Sequence, residues 1–162
     1  MNRYKGFTLI ELMVILTILA VVALIAVPSF TTLIRDNRTE AQAETLNALF
    51  QFARSEAVIR KIDTFVVIDP SKGEIEVFAS SVHGDLLRTS SFDPTIISLD
   101  VSATTAGYRP NGTTTVPGFE AVLCGDGNVD NARLVTIAGS GTTTLHNKGK
   151  KANGANLGSC TL

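Results

Sequence analysis

The stretch KGFTLIEL, residues 5–12, followed by an apolar run that ends at Val27, decides the architecture of this chain of 162 residues. Between Leu12 and Val27 no residue is charged, and only Thr17 is polar. Counted from Phe7, the apolar stretch makes roughly 30 Å of α-helix, which is the thickness of the hydrocarbon core of a bilayer. The sequence therefore predicts a transmembrane or filament-core helix over residues 7–28.

One carboxylate, Glu11, lies at the start of this apolar stretch, where a charge in hydrocarbon costs roughly 2.5–3.5 kcal/mol. A cut between Gly6 and Phe7 would leave a free ammonium group one helical turn before Glu11. The unpaired amides and the dipole of a helix start also favour a carboxylate there. In a bundle of helices, the ammonium group of one chain can meet the Glu11 carboxylate of a neighbouring chain that is shifted along the bundle axis. The position of Glu11 therefore predicts that several chains assemble. The alternative is a plain signal anchor with Glu11 at the headgroup boundary.

Residues 5–12 resemble the type IV prepilin signal. The resemblance implies that a membrane-bound prepilin peptidase cuts between Gly6 and Phe7, removes the leader peptide 1–6 and methylates the new amino group of Phe7. It also implies that Glu11 recruits the next subunit. Pro28 lies where these pilins commonly carry a helix-bending proline, and it has no N–H to donate to the preceding turn. The resemblance implies that this stretch partly unwinds in filaments.

The flanking charges predict the orientation of the anchor. Arg3 and Lys5 place the leader in the cytoplasm by the positive-inside rule. The resemblance then implies a single-pass protein of the bacterial inner membrane with a periplasmic head, later part of a pilus or pseudopilus. Cys124 and Cys160 are the only cysteines. In an oxidising compartment we expect a disulfide between them, with a free thiol pair or half a metal site as alternatives.

Beyond the anchor, residues 29–61 carry apolar side chains near three-and-four spacing, with charged residues between them. This pattern predicts an amphipathic helix that continues the membrane helix without a break and ends near Lys61. The predicted apolar positions are Leu33, Ile34, Ala41, Leu46, Leu49, Phe50, Ala53 and Ala57.

After Lys61 the pattern changes to alternation typical of strands. Residues 64–68 and 74–78 flank the turn sequence DPSKG and predict a hairpin. Further strand candidates lie at 86–92, 95–101, 120–124, 132–138 and 142–145. We predict an α+β fold of the type IV pilin kind, in which the long amino-terminal helix packs on an antiparallel β-sheet head, residues 62–162.

A second resemblance lies at the end of the predicted helix. The segment NALFQFARSEA, residues 47–57, resembles the minor pilins called FimT and FimU and the secretion pseudopilin GspH, as do residues 108–112, 123–124 and 132–135. It implies a minor pilin that initiates or joins the tip complex in pilus assembly, with other minor pilins and the major pilin as partners. A minor pseudopilin of the type II secretion system and a DNA-binding minor pilin for natural transformation are the alternatives. For Arg54 and Glu56, the alternative interpretation is that both side chains lie on a solvated face of the helix.

The sequence predicts no enzyme, cofactor or metal site. His83 and His146 are isolated and lack a spaced partner for catalysis or metal binding. The segment DGNVD, residues 126–130, has oxygen ligands at alternate positions but lacks the glycine and the final acid of a calcium loop, where Ile137 stands instead. We predict a polar turn that joins two strands there, with an irregular calcium site as the alternative.

The chain after Asp130 has no acidic side chain and carries four basic residues: Arg133, Lys148, Lys150 and Lys151. These are candidate DNA-binding residues, because cations displace counterions from phosphates without reading bases. The resemblance implies an arginine-containing motif near the carboxyl end of DNA-binding members. This sequence has lysines there, and no aromatic residue follows Leu145 for base stacking. A solvated loop is the favoured interpretation, with DNA binding as the alternative.

Overall fold

A computed structural model describes residues 7–162, except for the side chains at positions 28 and 29. The predicted leader 1–6, with Gly6 of the cleavage site, lies outside the described residues. The chain divides between Arg35 and Asp36 into an amino-terminal unit and a larger unit, Asp36–Leu162.

One helix, α1, runs from Leu9 to Arg60. It ends because Lys61 adopts a left-handed backbone conformation with φ of 59°, which an α-helix cannot include. The predicted continuity of the helix is therefore confirmed, and the proline at position 28 lies within it. The subdivision of the chain at residue 28 stays a prediction.

Eight strands follow the helix, with a short 3-10 helix, Val129–Asn131, between the sixth and the seventh. The strands are β1 (Thr64–Asp69), β2 (Glu74–Ala79), β3 (Asp85–Ser91), β4 (Ile97–Val101), β5 (Thr105–Tyr108), β6 (Phe119–Gly125), β7 (Arg133–Ile137) and β8 (Thr143–Leu145).

All strand pairs are antiparallel, and they form two four-stranded sheets. Sheet 1 has the order β3-β2-β1-β5, and sheet 2 has the order β4-β6-β7-β8. The predicted hairpin is β1 and β2. The predicted single sheet is thus two sheets, and β5 was not predicted, because its four residues, TAGY, include a glycine and show no alternation.

The main core of the larger unit lies between α1 and the two sheets. On the helix, the buried positions are Thr39, Ala43, Leu46, Leu49, Phe50, Ala53 and Ala57. The rings of Phe50 and Phe119 meet edge to face with centroids 5.1 Å apart, which joins α1 to β6. Thr64, at the start of β1, donates its hydroxyl to the carbonyl of Ala53 at 2.9 Å.

The predicted apolar face of the helix needs a correction at three positions. Ala41 is exposed and Ala43 is buried in its place, and Leu33 and Ile34 are 54% and 50% exposed. Spacings of four and three from Thr39 through Ala43 to Ala57 keep side chains on one side of the helix, whereas Ala41 lies about 200° from Ala43 at 100° per residue.

Candidate assembly site and basic loop

The amino end of α1 carries the predicted assembly residue, Glu11, in an exposed position of the first turn. Thr8 precedes the helix, and its hydroxyl oxygen accepts the backbone N–H of Glu11 at 3.3 Å. The Thr8 carbonyl accepts the N–H of Leu12 at 3.2 Å. A threonine in this place satisfies one of the unpaired amides of a helix start. The sequence TLIE therefore starts the helix directly after the predicted cleavage site and presents the Glu11 side chain on its surface.

The side chains that follow form an exposed apolar surface around the helix. Phe7, Leu24 and Ile25 are 77%, 78% and 69% exposed, and the other large apolar residues up to Val27 are at least half exposed or close to it. The helix is long and apolar enough to cross a membrane. A helix that is apolar all round is stable when lipid or other protein covers it. This end of the chain is consistent with a membrane-anchored pilus component.

Arg54, in the segment that resembles FimT, FimU and GspH, connects the helix to a loop from each sheet. Its Nε donates to the carbonyl of Gly112 at 3.0 Å, and its Nη2 donates to the carbonyl of Ser140 at 3.1 Å. Gly112 follows β5 of sheet 1, and Ser140 follows β7 of sheet 2. Arg54 is thus a structural clamp, because one guanidinium holds two loops that lie 58 and 86 residues along the chain.

Glu56, the other charged residue of that segment, pairs with Arg60 one turn further along the helix, at 2.5 Å between Oε2 and Nε. The Arg60 side chain is 50% exposed, whereas the Glu56 side chain is only 17% exposed. Neither Glu56 nor Arg54 is therefore a fully solvated residue of the helix face.

The first of the four candidate DNA-binding residues, Arg133, is turned toward the helix. Its guanidinium forms a two-pronged ion pair with Glu40, with Nε 2.7 Å from Oε2, and its Nη1 donates to the carbonyl of His146 at 2.9 Å. The Arg133 side chain is only 13% exposed. Burial lowers the pKa of Arg133 from its ordinary value, yet an arginine stays charged near neutral pH. Its donors are directed at Glu40 and His146 and away from solvent.

Lys148 is the second candidate that meets a helix carboxylate. Its Nζ lies 2.8 Å from Oδ2 of Asp36, while the other oxygen of Asp36 accepts the side-chain amide of Asn131. Asp36 therefore holds both the loop before β7 and the loop after β8. Lys150 and Lys151 are exposed, and Lys150 donates to the side chain of Asn156 at 2.6 Å.

The four basic residues consequently do not form one open cationic surface. Two are engaged by carboxylates of α1, and two remain on the loop that follows Lys148. Asp36 and Glu40, one turn apart on the helix, are the sequence feature that accounts for this arrangement. The sequence near them does not show which basic residues they pair with.

In the part of the chain that the structure describes, His146 and the acidic turn have structural roles, and His83 is exposed. Nε2 of His146 lies 2.9 Å from the Thr136 hydroxyl, across the β7–β8 pair. In the segment 126–130, Asn128 caps the short 3-10 helix by accepting the N–H of Asp130 at 3.0 Å. The predicted polar turn between two strands is confirmed, and no group of three or more potential metal ligands occurs among the described residues.

The predicted disulfide is present between Cys124 on β6 and Cys160, with the Cα atoms 5.8 Å apart. It links residues 36 positions apart in the sequence. The tail after β8 is therefore attached covalently to a central strand of sheet 2.

Two family models match this sequence. The prokaryotic N-terminal methylation motif matches residues 1–27, and the model described as type II transport protein GspH matches residues 42–141. The chain belongs to the GspH family. No curated protein matches the sequence. As a GspH family member, the protein is a minor pilin or pseudopilin of the type IV pilus or of the type II secretion system.

Solved structures show the same fold. The type IV minor pilin FimU of Pseudomonas aeruginosa is 23% identical, with a TM-score of 0.64 over 76% of this chain and 96% of that chain. The minor pseudopilin EpsH from the type 2 secretion system of Vibrio cholerae is 16% identical, with a TM-score of 0.56 over 67% of this chain and 95% of that chain. The predicted pilin fold, a long amino-terminal helix followed by antiparallel sheets, is therefore confirmed.

Proposed function

We propose that this GspH family member is a minor pilin that initiates or joins the tip complex of a type IV pilus-like filament. The observation that carries the proposal is the exposed apolar helix with Glu11 in its first turn. The larger unit has a complete core of its own, so the apolar surface before Arg35 is not needed to fold it. That surface is available for lipid and then for the helices of other subunits.

The proposal includes processing and location. Prepilin peptidase cuts between Gly6 and Phe7 and methylates Phe7, and the chain is anchored in the inner membrane with residues 62–162 in the periplasm before it enters the filament. The match to the N-terminal methylation motif over residues 1–27 supports this sequence of events. Amino-terminal sequencing and intact mass of the native protein test it. A chain that starts at methylated Phe7 agrees with the proposal, and a chain that starts at Met1 contradicts it.

Glu11 carries the assembly step. In the bundle of helices, its carboxylate neutralises the amino group of Phe7 on the neighbouring subunit, which removes two isolated charges from an apolar environment at once. A Glu11→Ala variant leaves that ammonium group unpaired. Breaking a buried pair costs about 3 kcal/mol, so the share of the protein found in sheared filaments should fall more than about ten-fold.

The control for this experiment is Glu44→Ala, which removes an exposed carboxylate from the same helix within the larger unit. The near-ultraviolet circular dichroism of Tyr108, which is fully buried in the main core, reports whether the larger unit has folded in both variants. Unchanged incorporation of Glu11→Ala into filaments would overturn the proposed role of Glu11. Measuring piliation and type II secretion in a strain without the protein then separates the pilus from the pseudopilus.

DNA uptake is the weaker candidate. Arg133 and Lys148 already hold Glu40 and Asp36, so DNA would have to displace two carboxylates before it gained those contacts. Only Lys150 and Lys151 of the four predicted residues remain on the outside of the loop.

A further inference from the structure

The larger unit has two separate apolar clusters, and the disulfide belongs to the smaller one. The main core joins α1 to both sheets. The second cluster consists of Val122, Cys124, Ala132 and Leu134, with Leu157 and Cys160 packed against it.

The two clusters lie on opposite faces of sheet 2. Successive side chains of a strand point to opposite faces, so Ala121 and Leu123 on β6 contribute to the main core while Val122 and Cys124 point the other way. Val122 lies directly opposite Leu134 in the β6–β7 register. These two apolar side chains are 0% and 2% exposed, so the outer face of the sheet is covered.

The cover is the carboxyl-terminal segment 151–162, which we call the strap. Ten of its twelve residues are exposed, and only Leu157 and Cys160 are partly buried. A groove of about 480 Å³ remains between the strap and the sheet, lined in part by Val122, Leu134 and Leu157. The strap is therefore not closely packed on the face that it covers.

Few non-covalent contacts hold the strap. Leu157 packs against the small cluster, and the N–H of Leu157 donates to the carbonyl of Gly149 at 2.8 Å. Beside it, Nζ of Lys150 donates to the side chain of Asn156 at 2.6 Å. At the far end, the N–H of Leu162 donates to Oδ2 of Asp100 on β4 at 2.9 Å. The bond from Lys151 N–H to the Ala155 carbonyl lies within the strap and does not attach it to the sheet. Against these contacts stands the conformational entropy of twelve ordered residues, most of which bury nothing.

We propose that the Cys124–Cys160 disulfide is a redox-sensitive latch for the strap and not a brace for the whole unit. When it opens, the strap leaves sheet 2 and uncovers Val122 and Leu134, while the main core stays folded. The physical reason is that release of the strap breaks only the few contacts described above. No residue of the strap belongs to the main core, so the main core loses no packing when the strap leaves.

The chemistry of the latch is a thiol–disulfide exchange. One sulfur of a dithiol reductant attacks Cys160, the Cys124 thiolate leaves, and the second sulfur of the reductant then releases Cys160. Two electrons and two protons pass to the cysteines, and the dithiol becomes a disulfide. In the opposite direction a disulfide-bearing oxidant closes the latch. A chain that has been exported but not yet oxidised therefore presents an apolar patch on sheet 2 that the oxidised chain hides.

The test uses the full chain in detergent and measures how fast iodoacetamide alkylates Cys124 under native conditions. In the Cys160→Ser variant, Cys124 should react within about ten-fold of its rate in denaturant, because a released strap no longer shields a sulfur that is buried in the oxidised protein. The near-ultraviolet circular dichroism of Tyr108, which is fully buried in the main core, should be unchanged.

Oxidised wild-type protein treated with a phosphine reductant provides the second route, because it is already folded when the bond is opened. Protection of Cys124 by a thousand-fold or more after reduction would overturn the latch, because the strap would then stay in place without the bond. Loss of the Tyr108 signal on reduction would also overturn the latch, because the main core would then depend on the disulfide.

Discussion

Replacing Arg54 with methionine tests whether the clamp on the two loops contributes to stability. Methionine keeps an unbranched apolar stem and a similar helix propensity, so the change removes mainly the two guanidinium hydrogen bonds. The bond to the Gly112 carbonyl is partly buried, and a bond from a charged donor contributes about 1.5–3 kcal/mol. The bond to the Ser140 carbonyl is exposed and contributes about 0.5–1 kcal/mol. The free energy of unfolding should fall by about 2–4 kcal/mol.

Thermal unfolding of the full chain in detergent, followed by the near-ultraviolet circular dichroism of Tyr108, measures this loss. At about 2–4 °C per kcal/mol for a chain of this size, the Tm should fall by about 4–16 °C. Arg38→Met is the matched control, because it removes an exposed arginine of the same helix within the larger unit. Equal Tm values for the two variants would refute the clamp and show that water replaces both bonds without loss.

Two further predictions concern the same region of the larger unit. Gly141→Ala should lower the free energy of unfolding by about 2 kcal/mol more than Gly118→Ala, measured in the same melt, although both glycines have positive φ. A Cβ at Gly141 would lie 2.0 Å from the Gly112 carbonyl oxygen, whereas one at Gly118 would meet nothing within 4 Å. Burial raises the pKa of Tyr108 above its ordinary 10.0, so the phenol keeps its proton longer in the folded protein than in the unfolded chain. Stability should therefore fall as pH rises above about 10, and the ultraviolet absorbance of the phenolate should titrate later than that of free tyrosine.

The local patterns predicted most of the secondary structure. The three-and-four spacing gave one helix to within a residue of its end, and alternation located seven of the eight strands. The missed strand, β5, is short and contains Gly107, so its sequence has neither alternation nor strand-forming composition. It is a strand because it pairs with the free edge of β1, opposite Thr64 to Val67. The prediction that Ala41 lies on the buried face is wrong because alanine marks neither face of a helix by its polarity.

The sequence by itself determined the apolar helix, the position of Glu11 in its first turn and the family signals at residues 5–12 and 47–57. These features are local, because a helix period, a charge in an apolar run and a short motif are complete within one or two turns. Only the tertiary structure decided that Arg54 holds two loops, that Arg133 meets Glu40 across 93 positions, and that Cys124 belongs to a second cluster. A side-chain pattern indicates that one face of an element is buried or that a charged residue needs a partner. The order of strands in the two sheets decides which residue becomes the partner of that charge.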